Sequence, residues 1–460
     1  MSFPGPMKFA DISPLFKDGS RFSKSNYRPV SKLSGFSKVF EMTIYDQILG
    51  HVSHMLSPLL SGFRKGYSTQ HVLVHMISSW QKSLDRGKLV GALLMDLSKA
   101  FDCVDHDLLI EKLQAYGLST DALKLMQNYL SGRFQRVGIE GTFSSWMEIL
   151  SGVPQGSILG PLLFNIYIND LMFLFEESDV SICNYADDNT IYTAGKDFSE
   201  VKRNLEHSYG IISAWFCDNG LQLNASKCKF ICLGRKVRRE PFMLNLGSSQ
   251  IEEADSVKLL GIILDNMLSF DEHVSMLCKK ANSKISALGR IASFFSESQH
   301  KVLMNSFIFS NFSYCPLVWG FSNRKNLHMI DRIRERAFRI FSMENSESTI
   351  HDRFCCILLQ EVFKTLHGLN PTYMNDVFAL QNHTYSLRSF SSLRREKVYS
   401  SRHGLKSLPH IAAQLWSRLP ESVKAECSLQ SFKSELSRLP SLHCDCRLCA
   451  TYIPQLGFIS

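Results

Sequence analysis

The chain has 460 residues, 45% hydrophobic and 20% charged, which excludes a disordered polymer and predicts several folding units around real cores. No run approaches the ~18 apolar residues of a membrane span, and the 13 cysteines, odd in number and scattered through apolar segments, read as reduced thiols of an intracellular protein rather than a disulfide framework. The net charge of +8 (51 Lys+Arg against 43 Asp+Glu) permits a polyanionic partner without demanding one.

Met1 to Pro6 reads as neither a secretory nor a transit segment. Residues 1–70 are rich in turn formers and basic residues, with helical spacing over Leu33 to Leu49 and a Gly-punctuated basic loop at Ser61 to Gly66. A helix is predicted from Thr69 to Leu84 and a strand from Lys88 to Leu97. Helices follow from Asp105 or His106 to Tyr116, stopped by Gly117, and over about Thr120 to Leu130. Gln135 to Ile139 and Ser145 to Leu150 read as short strands. Gly152-Val153-Pro154-Gln155-Gly156 is a loop, and Pro161 suits the first turn of a helix reaching Leu171. Asp197 to Glu200 is a capping-box signature opening an amphipathic helix that ends near Gly220. Strand-like pieces surround Leu221 to Leu223 and Phe230 to Leu233, and Arg235 to Glu240 is a charged connector. Two strand-like runs, Phe242 to Leu246 and Val257 to Leu264, flank Gly247. Asp271 to Met343 is helical in pattern, with Ile330 to Phe341 carrying Arg332, Arg334, Arg336 and Arg339 beside an apolar stripe. Beyond Ser346 the chain is less periodic, and only a small accessory region is expected.

The chemistry concentrates at Tyr185-Ala186-Asp187-Asp188. Short apolar runs flank this polar turn, so it reads as a hairpin with two carboxylates at its tip. Two adjacent anions repel unless a cation is present. A third carboxylate, Asp96, ends the apolar run Leu89 to Met95. Carboxylates from two strand ends that converge on divalent metal provide what two-metal nucleotidyl transfer needs.

These residues and others in order resemble the reverse transcriptases of non-LTR retrotransposons of the jockey or CR1 kind. The likeness runs through Asn26-Tyr27-Arg28-Pro29-Val30-Ser31, Gly62-Phe63-Arg64-Lys65-Gly66-Tyr67, Met95-Asp96-Leu97-Ser98-Lys99-Ala100-Phe101-Asp102, Gly152 to Ser157 and the Tyr-Ala-Asp-Asp box. It continues at Asn224-Ala225-Ser226-Lys227, Lys258-Leu259-Leu260-Gly261 and Tyr314 to Trp319, reaching the tail at Cys444 to Cys449. The resemblance implies an α+β right-hand polymerase: a palm built on a small antiparallel sheet backed by helices, fingers, and a helical thumb. It divides the chain into short fingers (1–84), palm with finger elements (85–240), a primer-grip hairpin (241–270), a helical thumb (271–345) and an accessory region with a Cys-rich tail (346–460). Leu60 stands where the family commonly has Gln.

The resemblance implies an RNA-directed DNA polymerase that extends a DNA primer on an RNA template with dNTPs. The alternative is an inactive nucleic-acid-binding remnant. Asp96, Asp187 and Asp188 would hold two Mg²⁺, for which Mn²⁺ is a substitute. Phe101 would be the sugar gate, with Gln155 and Gly156 at the nucleotide or template. Lys38 and Arg64 would grip the triphosphate, with Arg28 a weaker candidate, and Lys227 would protonate pyrophosphate. Arg332, Arg336 and Arg339 would meet duplex phosphates. Cys444, Cys446 and Cys449 are cramped for a Zn²⁺ site. No membrane partner is expected, an endonuclease would come from elsewhere, and the nucleus is the expected place of action, though Arg235 to Arg239 is a weak import signal.

Overall fold

The computed structural model describes residues 2–17, 19–176, 178–234, 241–343, 349–381 and 392–439. Its N-terminal part is more regular than expected. Strand β1 (Phe9–Phe16) pairs antiparallel with β2 (Tyr27–Lys32), and Pro14 faces Pro29. Proline lacks a ladder donor and argues against a strand. Here the Lys17 N–H bonds the Asn26 carbonyl at 2.8 Å, which fixes the alternation and leaves the Pro14/Pro29 pair at a position needing no N–H. Across β1 lies β4 (Arg133–Ile139), parallel to it and more than a hundred residues away, extended by β5 (Thr142–Phe143) and β6 (Met147–Ile149).

The second sheet is the expected palm. Strand β3 (Leu89–Met95) lies between β8 (Asp188–Gly195) and β9 (Lys229–Leu233), with β7 (Val180–Tyr185) outside β8, every pair antiparallel. Helix α1 (Gly35–Val52) and α2 (Thr69–Asp85) precede it. Inserted after β3 are α3 (His106–Ala115), α4 (Thr120–Leu130) and α5 (Leu159–Ile168), while α6 (Phe198–Asp218) links β8 to β9. Alternate residues of β3 serve two cores. Val90, Ala92 and Leu94 pack with α2, whereas Leu93 and Met95 pack with α5 and α6. Burial on both faces is why β3 reads as an unbroken apolar run rather than an alternating one.

Helix α5 starts two residues before Pro161, not at it. The reason is Glu41, fully buried on α1. Its Oε2 accepts from the N–H groups of Ile158 (2.7 Å) and Leu159 (3.3 Å), and Ser37 Oγ donates to its Oε1 at 3.0 Å. A carboxylate at a helix N-terminus satisfies otherwise orphaned donors and matches the helix dipole.

The expected single hairpin over 241–270 is two. Gly247 turns β10 (Met243–Leu246) into β11 (Ser249–Glu252), and Val257 to Leu264 is itself split by a Leu260-Gly261 turn into β12 (Ser256–Leu259) and β13 (Ile262–Asp265). The following helices are α7 (Asp271–Gly289), α8 (Glu297–Leu303), α9 (Pro316–Trp319) and α10 (Arg324–Ile340). Helix α10 begins six residues before the predicted Ile330, because Asn323 caps it by accepting from the Asn326 N–H at 2.8 Å.

The C-terminal segment is more ordered than its weak periodicity suggested. It forms α11 (Ile350–Leu366), α12 (Leu408–Arg418), α13 (Glu421–Lys424) and α14 (Leu429–Arg438). Leu358, Leu359, Val362, Ile411, Leu415, Trp416 and Phe432 join one continuous core with α2 and the palm sheet. Helix α2 explains this. Val72, Leu73, Val74, Met76, Ile77 and Trp80 bury it on several sides, so the sheet alone leaves apolar surface that the C-terminal helices cover. At the contact Glu361, deeply buried, pairs with His71 Nε2 at 3.1 Å and Lys364 Nζ at 2.6 Å and accepts from Asn370 at 3.0 Å.

Candidate active site

The β7–β8 hairpin turns tightly, with Tyr185 facing Asp188 and Ala186 in the left-handed region at φ 58°. Two asparagines on the strands hold this turn. Asn184 Nδ2 donates to the Ala186 carbonyl (2.7 Å) and to Asn189 Oδ1 (3.0 Å), and Asn189 Nδ2 donates to the Asp187 carbonyl (3.2 Å). Both are buried, and the sequence reading passed over them. Polar residues at buried strand positions on either side of the Asp187-Asp188 turn are the available signal.

The loop between α1 and α2 presses on the same turn. Leu60, fully buried, bridges Asn184 in parallel, and the Gly62 carbonyl accepts from Asn165 Nδ2 at 2.8 Å. A side chain at Gly62 would put its Cβ 2.4 Å from the Ala186 nitrogen and 2.7 Å from its Cα. Only glycine allows this backbone-on-backbone approach.

Register brings in the third carboxylate. The last β3–β8 pair is Met95 with Asn189, so one further step sets Asp96 opposite Asp188. Directly opposed residues of antiparallel strands share a face. The Asp96 backbone is fixed in turn by the Asn224 N–H donating to its carbonyl at 2.9 Å. Electrostatics agree with this convergence. The Asp188 carboxyl, though it retains solvent access, is crowded by protein. That lost solvation, then the charges of Asp187 and Asp96, push its pKa up to about 6, against the opposing pull of Lys17 and Arg28.

Lys17 and Arg28 lie at the loop end of the β1–β2 hairpin, which therefore reaches over the palm carboxylates. Lys38 does not share that position. It is exposed on the first turn of α1, whose inner face is spent on Ser37 and Glu41. Arg64 departs from its expected role too. Its Nη1 donates to the carbonyls of Ser57 (2.6 Å) and Leu60 (3.0 Å), and its guanidinium lies 4.4 Å over the Tyr67 ring. It braces the Gly62 loop instead of presenting a free cation.

Lys227 closes the other side, with Nζ 3.4 Å from Asp96 Oδ2. Phe101 is half-buried, stacked on Phe164 at 4.3 Å and edge-on to Phe63 at 5.7 Å, so its ring position is set by packing. Gln155 donates from Nε2 to Asp102 Oδ1 at 2.9 Å, and its carbonyl accepts from the Ser31 N–H at 2.8 Å, tying this loop to β2. Gly156 has φ 120°, and a Cβ there would meet the Ser31 carbonyl oxygen at 2.7 Å. Tyr314, from the helical region, donates to the Leu260 carbonyl at 2.7 Å and meets the Thr69 hydroxyl at 3.1 Å, fastening the β12–β13 turn to the start of α2.

The helix α10 arginines divide. Arg332 and Arg339 are exposed. Arg336 is taken up by α7, donating to Asn282 Oδ1 at 2.6 Å and Ser286 Oγ at 3.1 Å, and Arg334 is buried with its guanidinium 5.4 Å from the Phe338 ring centre. Cys444, Cys446 and Cys449 and the basic run Arg235 to Arg239 lie outside the described residues.

Among the described residues no group of three His, Cys, Asp or Glu side chains is close enough to enclose a metal by itself, and no helix is long and apolar enough to cross a membrane. The donor set nonetheless suits a hard divalent cation. Mg²⁺ needs only one or two carboxylates when waters and substrate phosphates complete its shell, and the charges of Asp187 and Asp96 both act on Asp188 here.

Residues 16–264 match the family described as "Reverse transcriptase (RNA-dependent DNA polymerase)". The chain is 26% identical over 351 residues to the RNA-directed DNA polymerase from mobile element jockey of Drosophila funebris, covering 74% of this chain and 38% of that protein. It is 27% identical over 352 residues to the probable RNA-directed DNA polymerase from transposon X-element of Drosophila melanogaster, with the same 74% and 38% coverage. The chain thus spans under two-fifths of the length of these relatives. A solved telomerase from Candida tropicalis, in complex with a TWJ fragment of telomeric RNA, shares 12% identity at a TM-score of 0.45. That likeness covers 96% of this chain and 65% of the other, and is too loose to bear on the site.

Proposed function

The chain belongs to the reverse transcriptase family, and on that premise we propose that it is an RNA-directed DNA polymerase of the non-LTR retrotransposon kind, extending a DNA primer on an RNA template with dNTPs. One observation carries this reading: the palm register that sets Asp96 opposite Asp188 beside Asp187, with the charges of Asp187 and Asp96 both acting on Asp188.

Asp96 and Asp187 would hold the divalent ions, Mg²⁺ or in its place Mn²⁺, with Asp188 supporting them. When bound, such ions supply an activated primer 3′-hydroxyl and neutralise the triphosphate. The protein's own groups do the rest. Lys17 and Arg28, on the fingers hairpin, bind the triphosphate oxygens and replace Lys38 and Arg64 in that role. The Phe101 ring, held by Phe164, lies under the deoxyribose and excludes a 2′-hydroxyl. Gln155 is oriented by Asp102 toward the incoming pair, and Gly156 lets nucleotide or template approach the loop backbone. Lys227 stands beside Asp96 to give a proton to departing pyrophosphate. The exposed Arg332 and Arg339 meet hybrid phosphates without reading sequence. Copying primed at chromosomal DNA would put this work in the nucleus.

The test is primer extension on poly(rA)/oligo(dT) with Mg²⁺ and dTTP. Incorporation that disappears in Asp187→Ala is the expected result. Hybrid binding without incorporation, across a range of metal and salt, would leave the inactive-remnant reading instead.

A further inference from the structure

Between Leu393 and Leu408 the chain has no regular structure, yet it is firmly placed. Arg394 N–H donates to the Ala379 carbonyl at 2.8 Å, and the N–H groups of Tyr399 and Ser400 donate to Asp85 at 3.0 and 2.6 Å. Lys82 pairs with Glu396 at 2.7 Å. The segment is therefore a strap laid along the C-terminal half of α2. Two adjoining cavities of about 470 and 500 Å³ lie between strap and helix, sharing Ser78, Gln81 and His403, and the first reaches Asn323 at the base of the helical region.

The strap is cationic, with Arg394, Arg395, Lys397, Arg402 and Lys406 against a single acid, Glu396. Of the carboxylates lining the cavities, Asp85 and Glu396 are engaged, and the exposed Asp376 stands 4.0 Å from His75. Asp85 accepts the strap backbone, and Glu396 is shared by Lys82 and Arg394. Lys397, Arg402 and Lys406 have no carboxylate partner among the described residues. Their mutual effect shows at their neighbours. Burial and then Arg402 hold Lys406 below its ordinary pKa, and burial, then Arg402, lower His403. With Asp85 committed to the strap backbone and Glu396 to Lys82 and Arg394, the adjacent Lys397, Arg402 and Lys406 leave an excess of positive charge on this surface. Tyr399 stands 62% exposed in the same place, with Lys397 Nζ 5.3 Å from its ring centre. Unpaired cations beside an exposed ring, lining a groove with hydroxyl and amide groups, are the chemistry of single-stranded nucleic acid binding: phosphates on the cations, a base on the ring.

This surface is separate from the carboxylate centre. Strand β3 starts beside the end of α2 and finishes next to Asp96, so the length of the palm, about 20 Å, lies between them.

We propose that the 393–408 strap and the facing side of α2 form a second nucleic-acid site, a groove for single-stranded RNA that holds it away from the polymerising centre. The choice of RNA rests on the RNA-templated reading above. The cation and ring chemistry stands without it.

The test uses the full chain and a labelled, unstructured single-stranded RNA of about twenty nucleotides, with affinity measured across salt. Each single-strand phosphate contact contributes about 0.7 to the slope of log K against log salt. The triple variant K397E/R402E/K406E should lower that slope by about 2 and weaken binding at least ten-fold near 0.1 M salt. The charge-preserving K397R/R402K/K406R should keep both, and Tyr399→Ala should weaken binding about five-fold or more. Extension of a short preformed hybrid should stay within two-fold of wild type in every variant. An unchanged slope in the charge-reversal variant overturns the proposal. So does tighter binding of DNA than RNA of the same sequence, or capture of polyglutamate in preference to RNA. If wild type binds RNA as described but never extends a primer, the polymerase reading fails and the groove stands.

Discussion

Lys227 keeps its ammonium 3.4 Å from the Asp96 carboxylate, on a short turn whose backbone is bonded to Asp96 itself. The lysine and a divalent ion thus compete for one oxygen. Lys227→Ala should lower the Mg²⁺ concentration giving half-maximal extension by two- to three-fold, because a competing cation is gone. Its maximal rate should fall about a hundred-fold if the lysine serves as the general acid. Magnesium titration of steady-state extension separates the two effects.

Gly62 tests whether the fingers loop positions the Asp187-Asp188 turn. Gly62→Ala drives a Cβ into the Ala186 backbone, which has no flexible side chain to yield. The turn must shift by several tenths of an ångström or more. Extension should drop by about a hundred-fold, as displaced catalytic groups do, with hybrid affinity little altered and stability lowered by about 1 to 3 kcal/mol from the strain.

The Asp188 carboxyl gives a pH signature. Its pKa is raised to about 6 in the metal-free fold, above the ordinary carboxylate value of 3.8. Between those values the folded state binds more protons than the unfolded, so this group destabilises the protein as pH rises through that window. Solvent access keeps the effect to about 1 kcal/mol. Asp188→Asn should therefore raise the midpoint of denaturation at pH 7 without metal. Wild type should be stabilised by Mg²⁺ above pH 6 and progressively less below it, and the variant should show a much smaller metal effect. Denaturant melts at pH 5, 6 and 7.5, with and without Mg²⁺, decide it.

Glu361 tests how the C-terminal helices are held on α2. Burial raises its pKa, but the hydrogen bonds from His71 and Lys364 outweigh that and hold it at about 2. A carboxylate depressed in this way stabilises the fold above its unfolded pKa near 4.5, and the contribution is lost as pH falls toward 2. Glu361→Ala should cost about 3 kcal/mol at neutral pH. Limited proteolysis should then cut first in the segment after Leu366.

Phe101 is fixed by Phe164 and Phe63 rather than free to swing, so shortening it should open space without repacking the palm. Phe101→Val should raise ribonucleotide incorporation relative to deoxynucleotide by at least ten-fold. Unchanged discrimination would assign the ring to packing alone.

Much of this site was legible in the sequence because its parts are local. Asp187 and Asp188 announce themselves at a hairpin tip, β3 by its apolar run, and α4 by a span that matches its observed ends, Thr120–Leu130. The cationic partners were read less well. Lys38 and Arg64 matched by position along the chain, but a cation is useful only where its charge is free and close. Arg64 is consumed by the Ser57 and Leu60 carbonyls, while Lys17 and Arg28 are carried to the carboxylates by a strand pairing that two prolines disguised.

By itself the sequence determined most of the elements around the palm sheet and the family the chain belongs to, since periodicity, capping and short motifs act over a few residues. Tertiary structure alone decided what meets across long separations. It set Asp96 opposite Asp188, pressed Gly62 on Ala186, and paired His71 with Glu361 nearly three hundred positions later. Those contacts depend on strand register and on which apolar faces remain to be covered once the sheet has formed, and neither is written in any single stretch of chain.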